Sequence, residues 1–144
     1  VGIAYMEGWS RELGCIAWDN LMEDLATLEI SRTQVWQWLY HGIALESGET
    51  VNRSLISQVF HEELERIVTE VSSLVKETEA REKLIESYTQ AAKVAEDLFT
   101  TEELPEFLTN DSPVADAGAL ASSIQSSERQ ASELKGAGTA EAGV

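Results

Sequence analysis

The chain is poor in the residues that staple a fold, ligate metals or attract polyanions. Cys15 is the one cysteine among 144 residues, so no internal disulfide can form and a reducing interior is the expected setting. The two histidines, His41 and His61, have no second histidine or cysteine at ligand spacing, which argues against a metal site within the chain. Only 10 lysines and arginines stand against 26 acidic residues, a formal charge of -16. Phosphate binding needs clustered cations, so neither nucleic acid nor an anionic membrane is an expected partner. An apolar run of transmembrane length is missing, as are a signal-peptide pattern and any internal repeat. The final residues, Glu141 to Val144, do not form a Ser-Lys-Leu type peroxisomal address, and a cytoplasmic location is the expectation.

What the sequence does contain is organised around residues 20 to 42. Leu21, Leu25, Leu28, Val35, Trp36 and Leu39 recur at helical spacing and predict one amphipathic helix over this stretch. Asn20 fits its N-cap with Glu23 as the third residue of a capping box, and His41 with Gly42 closes it. Arg32 projects into the middle of the apolar stripe, where a guanidinium requires a carboxylate partner. Glu7 is one candidate. Ile30 and Trp38 point to the opposite side, so the helix is apolar on two faces and this chain supplies only one of the two covers. Asp24 has two readings. On spacing alone it is a solvated first-turn acid favoured by the helix dipole; beside Leu21, Met22 and Leu25 it is a carboxylate whose pKa apolar surroundings would raise toward the range useful for proton abstraction.

Around this stretch the expected elements are helical. A first helix runs from about Ile3 to Leu13, with Met6, Trp9 and Leu13 on one face and Gly14 as its stop. Cys15 to Asp19 reads as a connection anchored by Trp18. After a loop over residues 43 to 49, Thr50 is the expected cap of a long helix. Its stripe is Leu55 or Ile56, Val59 or Phe60, Leu64, Ile67 or Val68, Val71 and Leu74. The charged residues 76 to 83 mark a turn or an exposed helix end. Leu84, Tyr88, Ala91, Ala95 and Leu98 then mark a partner helix for an antiparallel pair. Residues 101 to 108 are expected to form a short helix. Beyond them the Ala, Ser and Gly content of residues 110 to 144 predicts a disordered tail with at most a weak helix over 115 to 134.

Leu21-Met22-Glu23-Asp24, Ala26-Thr27, Glu29-Ile30-Ser31-Arg32-Thr33 and Trp36-Gln37-Trp38-Leu39 resemble, as an ordered string, the C-terminal domain of malate synthase. Tyr5-Met6-Glu7-Gly8-Trp9 and Gly14-Cys15 are similar to the segment leading into that motif. The resemblance covers about residues 1 to 109. It implies an all-α domain of four to five helices, the C-terminal plug that caps a TIM barrel, followed by the tail from 110 to 144. It also implies a condensation of acetyl-CoA with glyoxylate to malate and CoA. Asp24 would be the general base, Met22 would lie near the acetyl-CoA pocket, and Glu23 would be a neighbour without an assigned role. The family's Mg²⁺, its ligands and the residues that polarise glyoxylate would belong to the barrel, which this chain does not contain. The chain accordingly reads as a fragment or excised domain, inactive alone. The alternative is a non-catalytic helical interaction domain that keeps the plug fold and binds a partner through the Ile30 and Trp38 side.

Overall fold

The computed structural model describes residues 1–108 of the chain. Its elements are α1 (Gly2–Ser10), β1 (Cys15–Trp18), β2 (Leu21–Asp24), α2 (Leu25–His41), α3 (Arg53–Leu74) and α4 (Thr78–Phe99). The architecture is helical, as expected, with a two-stranded hairpin added.

The most deeply buried element is the first. Every residue of α1 from Ile3 to Gly8 is withdrawn from solvent, and the helix packs against α4, α2 and β1. A helix apolar nearly all round belongs inside a fold, and α1 does so here. Its apolar residues share one core cluster with Leu28 of α2, Ile67 and Val71 of α3, and Ala95, Leu98 and Phe99 of α4. The expected stripe of α4 is realised, its alanines letting α1 and α3 approach closely. In α3, Ile56, Ile67 and Val71 are buried, whereas Leu74 is 71% exposed because the helix ends there and Val75 turns away as the C-cap.

Four boundaries differ from expectation. The first helix stops at Ser10, with Arg11 as C-cap and Glu12 at φ 63°, so Gly14 lies outside it. Residues 15 to 24 form an antiparallel hairpin in register Cys15↔Asp24 to Trp18↔Leu21, and the helix that follows starts at Leu25 rather than at Leu21. The reason is the turn. Asp19 and Asn20 both have positive φ, 47° and 63°, the conformation that two-residue hairpin loops require and that these side chains tolerate. Asn20 is therefore a turn residue, and the Asn20–Glu23 capping box is not formed. Third, α3 is capped by the Asn52 side chain, which accepts from the Leu55 amide, instead of by Thr50; Thr50 is bridged to Ala44 across the preceding loop. Fourth, residues 101 to 108 are not helical but cross α2 as a strap. The tail expected from residue 110 lies outside the described residues.

Arg32 is 1% exposed, as its place in the stripe requires, but Glu7 is not its partner. Its Nη2 and Nε donate to Glu29 at 2.5 and 3.2 Å, and Nη2 also reaches the Pro105 carbonyl at 3.2 Å. The other oxygen of Glu29 accepts from the Leu108 amide at 2.8 Å, and the Trp36 indole donates to the Thr101 carbonyl at 3.0 Å. Glu7 has its own partners: Arg11, one turn on at 2.8 Å, and the Ser87 hydroxyl at 3.1 Å, which ties α1 to α4. A buried charge needs a partner within reach, and one turn of its own helix placed Glu29 closer to Arg32 than α1 could.

Candidate functional site

The chemically suggestive residues converge where β2 ends and α2 begins. Asp24 is the last residue of the strand and also the N-cap of the helix, with extended backbone at φ -121° and ψ -174°. Its Oδ1 accepts from the amides of Ala26 at 2.9 Å and Thr27 at 3.3 Å. The cap orients the carboxylate at the positive end of the helix dipole and leaves the second oxygen out of the cap. Asp24 is exposed, as are Leu21 and Met22, at 63% and 69%. The dry setting expected for this carboxylate is thus not built by residues 1–108 alone.

Behind Asp24 stands the fully buried Tyr5. Its hydroxyl donates to the Gly14 carbonyl at 3.1 Å, one residue before Cys15, which pairs with Asp24 across the hairpin. Burial pushes the Tyr5 hydroxyl pKa up, and the negative charges of Asp24 and Cys15 add to the effect, so the group stays a neutral donor. Gly8, a turn further along α1, faces Ile16 of β1 so closely that a Cβ there would lie 2.5 Å from the Ile16 methyl. Neither Tyr5 nor Gly8 was picked out as a site residue on sequence grounds; the signal available was the Tyr5-to-Trp9 string itself. Glu23 is half-buried in β2 opposite Ile16 and takes no part in capping.

One side of α2 carries a second feature. Its exposed residues are Ala26, Ile30, Gln34, Gln37, Trp38, Tyr40 and His41, none of them Asp, Glu, Lys or Arg. Ile30 is 67% exposed and Tyr40 68%. Trp38 also lines an apolar groove of about 300 Å³ that opens between it, Trp18, Leu55, Val59 and Phe60, and neither Met22 nor Asp24 lines that groove. Among the described residues no group of three His, Cys, Asp or Glu side chains could hold a metal ion, so the residues present do not fit an Mg²⁺ site.

The family described as "Malate synthase, C-terminal" matches residues 1–114. This chain belongs to that family. Among the relatives of this malate synthase domain, "Malate synthase A" of Escherichia coli (strain K12) is 37% identical over 109 residues, 76% of this chain and 19% of its own length. "Malate synthase, glyoxysomal" of Cucurbita maxima is 41% identical over 115 residues, 77% of this chain and 19% of its own. The "Bifunctional glyoxylate cycle protein" of Caenorhabditis elegans is 39% identical over 111 residues, 77% of this chain and 10% of its own. The chain therefore spans no more than a fifth of the relatives it matches. No helix among the described residues is long and apolar enough to cross a membrane.

Proposed function

We propose that residues 1 to 109 act as the plug of a malate synthase, closing a TIM barrel and supplying Asp24 as general base for the condensation of acetyl-CoA with glyoxylate. The observation that carries this reading is the junction of β2 and α2. It presents a carboxylate oriented by two amides yet open to an incoming surface, with exposed Leu21 and Met22 just ahead of it. The methyl protons of a thioester are weakly acidic, so a base must be held against the methyl while the developing enolate is stabilised elsewhere. Asp24 takes a methyl proton; the electron pair left behind adds to the aldehyde carbon of glyoxylate and forms the new C–C bond, while the carbonyl π pair moves onto the aldehyde oxygen, which then takes up a proton from water to become the malyl hydroxyl. Water then cleaves the malyl-CoA thioester, releasing malate and CoA. Met22 would flank the acyl group. The uncharged side of α2 supports a partner that covers it, and the barrel would thereby provide the apolar wall that Asp24 lacks here. The Mg²⁺ of the family and its ligands would come from the barrel, and no step above is assigned to the ion. The cytoplasm, or an organelle of the glyoxysomal kind named for some relatives, is the compartment that goes with this reading.

The test is complementation. This chain is mixed with a separately produced malate synthase barrel lacking its own C-terminal domain, and CoA release from acetyl-CoA and glyoxylate is followed with Mg²⁺ present. Activity with the wild type that vanishes with Asp24→Asn is the expected result, with no malate formed by the chain alone. Binding with equal activity from both versions would discard Asp24 as base. Failure to bind the barrel would favour the interaction-domain alternative through Ile30 and Trp38.

A further inference from the structure

The Tyr5-to-Trp9 segment, which the resemblance used only as a label, has a mechanical role in the structure. Two contacts fix the base-bearing hairpin to the buried helix α1. One is the Tyr5 hydroxyl on the Gly14 carbonyl at 3.1 Å. The other is the close approach of Gly8 to Ile16, where a Cβ would meet a methyl at 2.5 Å. The helix is in turn anchored to α4 by Glu7, whose carboxylate accepts from Ser87 at 3.1 Å. A path of direct contacts therefore runs from the four-helix core to Gly14, on to Cys15, and across the register pair to Asp24.

We propose that Tyr5 is a positioning residue for Asp24: its buried hydroxyl holds the start of β1, and through the Cys15–Asp24 pair it sets where the carboxylate stands. The inference rests on Asp24 being the base. Gly14 itself is exposed, and a Cβ there would meet nothing within 4 Å, so its own side packs against nothing. The Tyr5 hydroxyl is thus a direct tether on this end of the hairpin, beside the Gly8–Ile16 contact and the Leu13 amide on the Gly8 carbonyl. Water can satisfy the carbonyl if the hydroxyl is removed, but it cannot hold it in place. A carboxylate that wanders by a fraction of an ångström from the methyl it must deprotonate loses rate without losing substrate affinity.

The experiment uses Tyr5→Phe, which keeps the ring that stacks on Trp9 and deletes only the oxygen. In the enzyme assembled from this chain and the barrel, kcat is expected to fall by roughly tenfold with both KM values within twofold of wild type. The primary isotope effect with trideuterated acetyl-CoA should rise, because proton abstraction becomes slower relative to later steps. In the isolated chain, backbone amide shifts should move in residues 14 to 24 and stay fixed in the loop of residues 46 to 49. Ile56→Val, a conservative core substitution in α3, serves as a control for general destabilisation and should leave kcat and the isotope effect unchanged. An unchanged hairpin spectrum, or a lower kcat with no change in isotope effect, overturns the role of Tyr5. If Asp24→Asn is inactive while Tyr5→Phe behaves as wild type, only this inference fails. If Asp24→Asn is fully active, the base assignment beneath it fails instead.

Discussion

The α3–α4 pair and helix α2 solve opposite problems. On α3 and α4 the exposed positions carry Glu62, Glu65, Arg66, Glu70, Glu79, Lys83, Glu86, Lys93 and Asp97, and the buried ones form a single stripe. Each helix therefore has one wet and one dry side; most of the two dry sides is covered within the chain, with Val59 and Leu74 of α3 left exposed. Helix α2 has only two Asp, Glu, Lys or Arg side chains, Glu29 and Arg32, and they are spent on each other and on the strap. Its outward side is uncharged in a protein of formal charge -16. Charge has been placed wherever water is the neighbour and left off where a surface is expected. The first region is charged on its outer side; the second is not.

The comparison can be broken most sharply at the junction of β2 and α2. Asp24→Asn should reduce the rate of the barrel-complemented enzyme by about 10³-fold. It should leave thermal unfolding of the isolated chain within about 0.5 kcal/mol of wild type, because asparagine caps a helix as well as aspartate does. Asp24→Ala would instead lose the cap and cost about 1 kcal/mol. Equal kinetic effects of an α3 surface substitution such as Glu65→Gln would erase the distinction between the regions. Within the core, Leu98→Ala should destabilise the chain by about 3 kcal/mol, measured by urea unfolding, since Leu98 is 2% exposed. Glu29→Ala, which strands the buried Arg32 guanidinium and frees the Leu108 amide, should cost about the same. Ile30→Asp divides the two readouts the other way: stability of the isolated chain within about 0.5 kcal/mol, and barrel affinity lower by roughly 30-fold. Comparable loss of affinity from Val59→Asp, which lies on α3, would place the docking surface elsewhere.

The smallest effect concerns pH. Burial raises the pKa of Tyr5 and of Tyr88 above the ordinary 10.0, with the charges of Asp24 and Glu7 respectively adding to it. In the unfolded chain these phenols ionise first, so the native state binds more protons above pH 10. Their contribution to stability is complete below that pH and is lost as pH rises through the folded values. Tyr88→Phe should flatten the fall in melting temperature between pH 10 and 11, and an unaltered slope would show that Tyr88 ionises equally in both states.

What could be read from the sequence follows the same division. The stripes of α3 and α4 are long, so periodicity located them and their packed faces within a few residues. Over residues 21 to 24 the same test misled, because Leu21 and Leu25 suit a helical stripe and four residues are too few to display alternation. The Asp19-Asn20 pair was the informative signal there, and it is a statement about φ rather than hydrophobicity. Arg32 illustrates the other limit. Its burial was legible from its place between Leu25 and Leu28, as was its need for a carboxylate. That the carboxylate was Glu29, completed by Pro105 and Leu108, depends on a strap more than 70 residues away. Asp24 was named as the chemical residue for its motif; its double duty as strand end and helix cap emerged only with the hairpin.

The strap has a consequence for how the molecule is made. Its bonds run antiparallel to α2, Trp36 to Thr101, Arg32 to Pro105 and Glu29 to Leu108, joining residues 65, 73 and 79 apart. Contacts of such separation close late, and during synthesis they must wait for the ribosome to release the distal partner. The helix that Asp24 caps is thus encoded near the start of this stretch and secured at its end. A chain halted before Pro105 would carry every residue of the hairpin and of α2 and still leave the Arg32 charge without half of its lock.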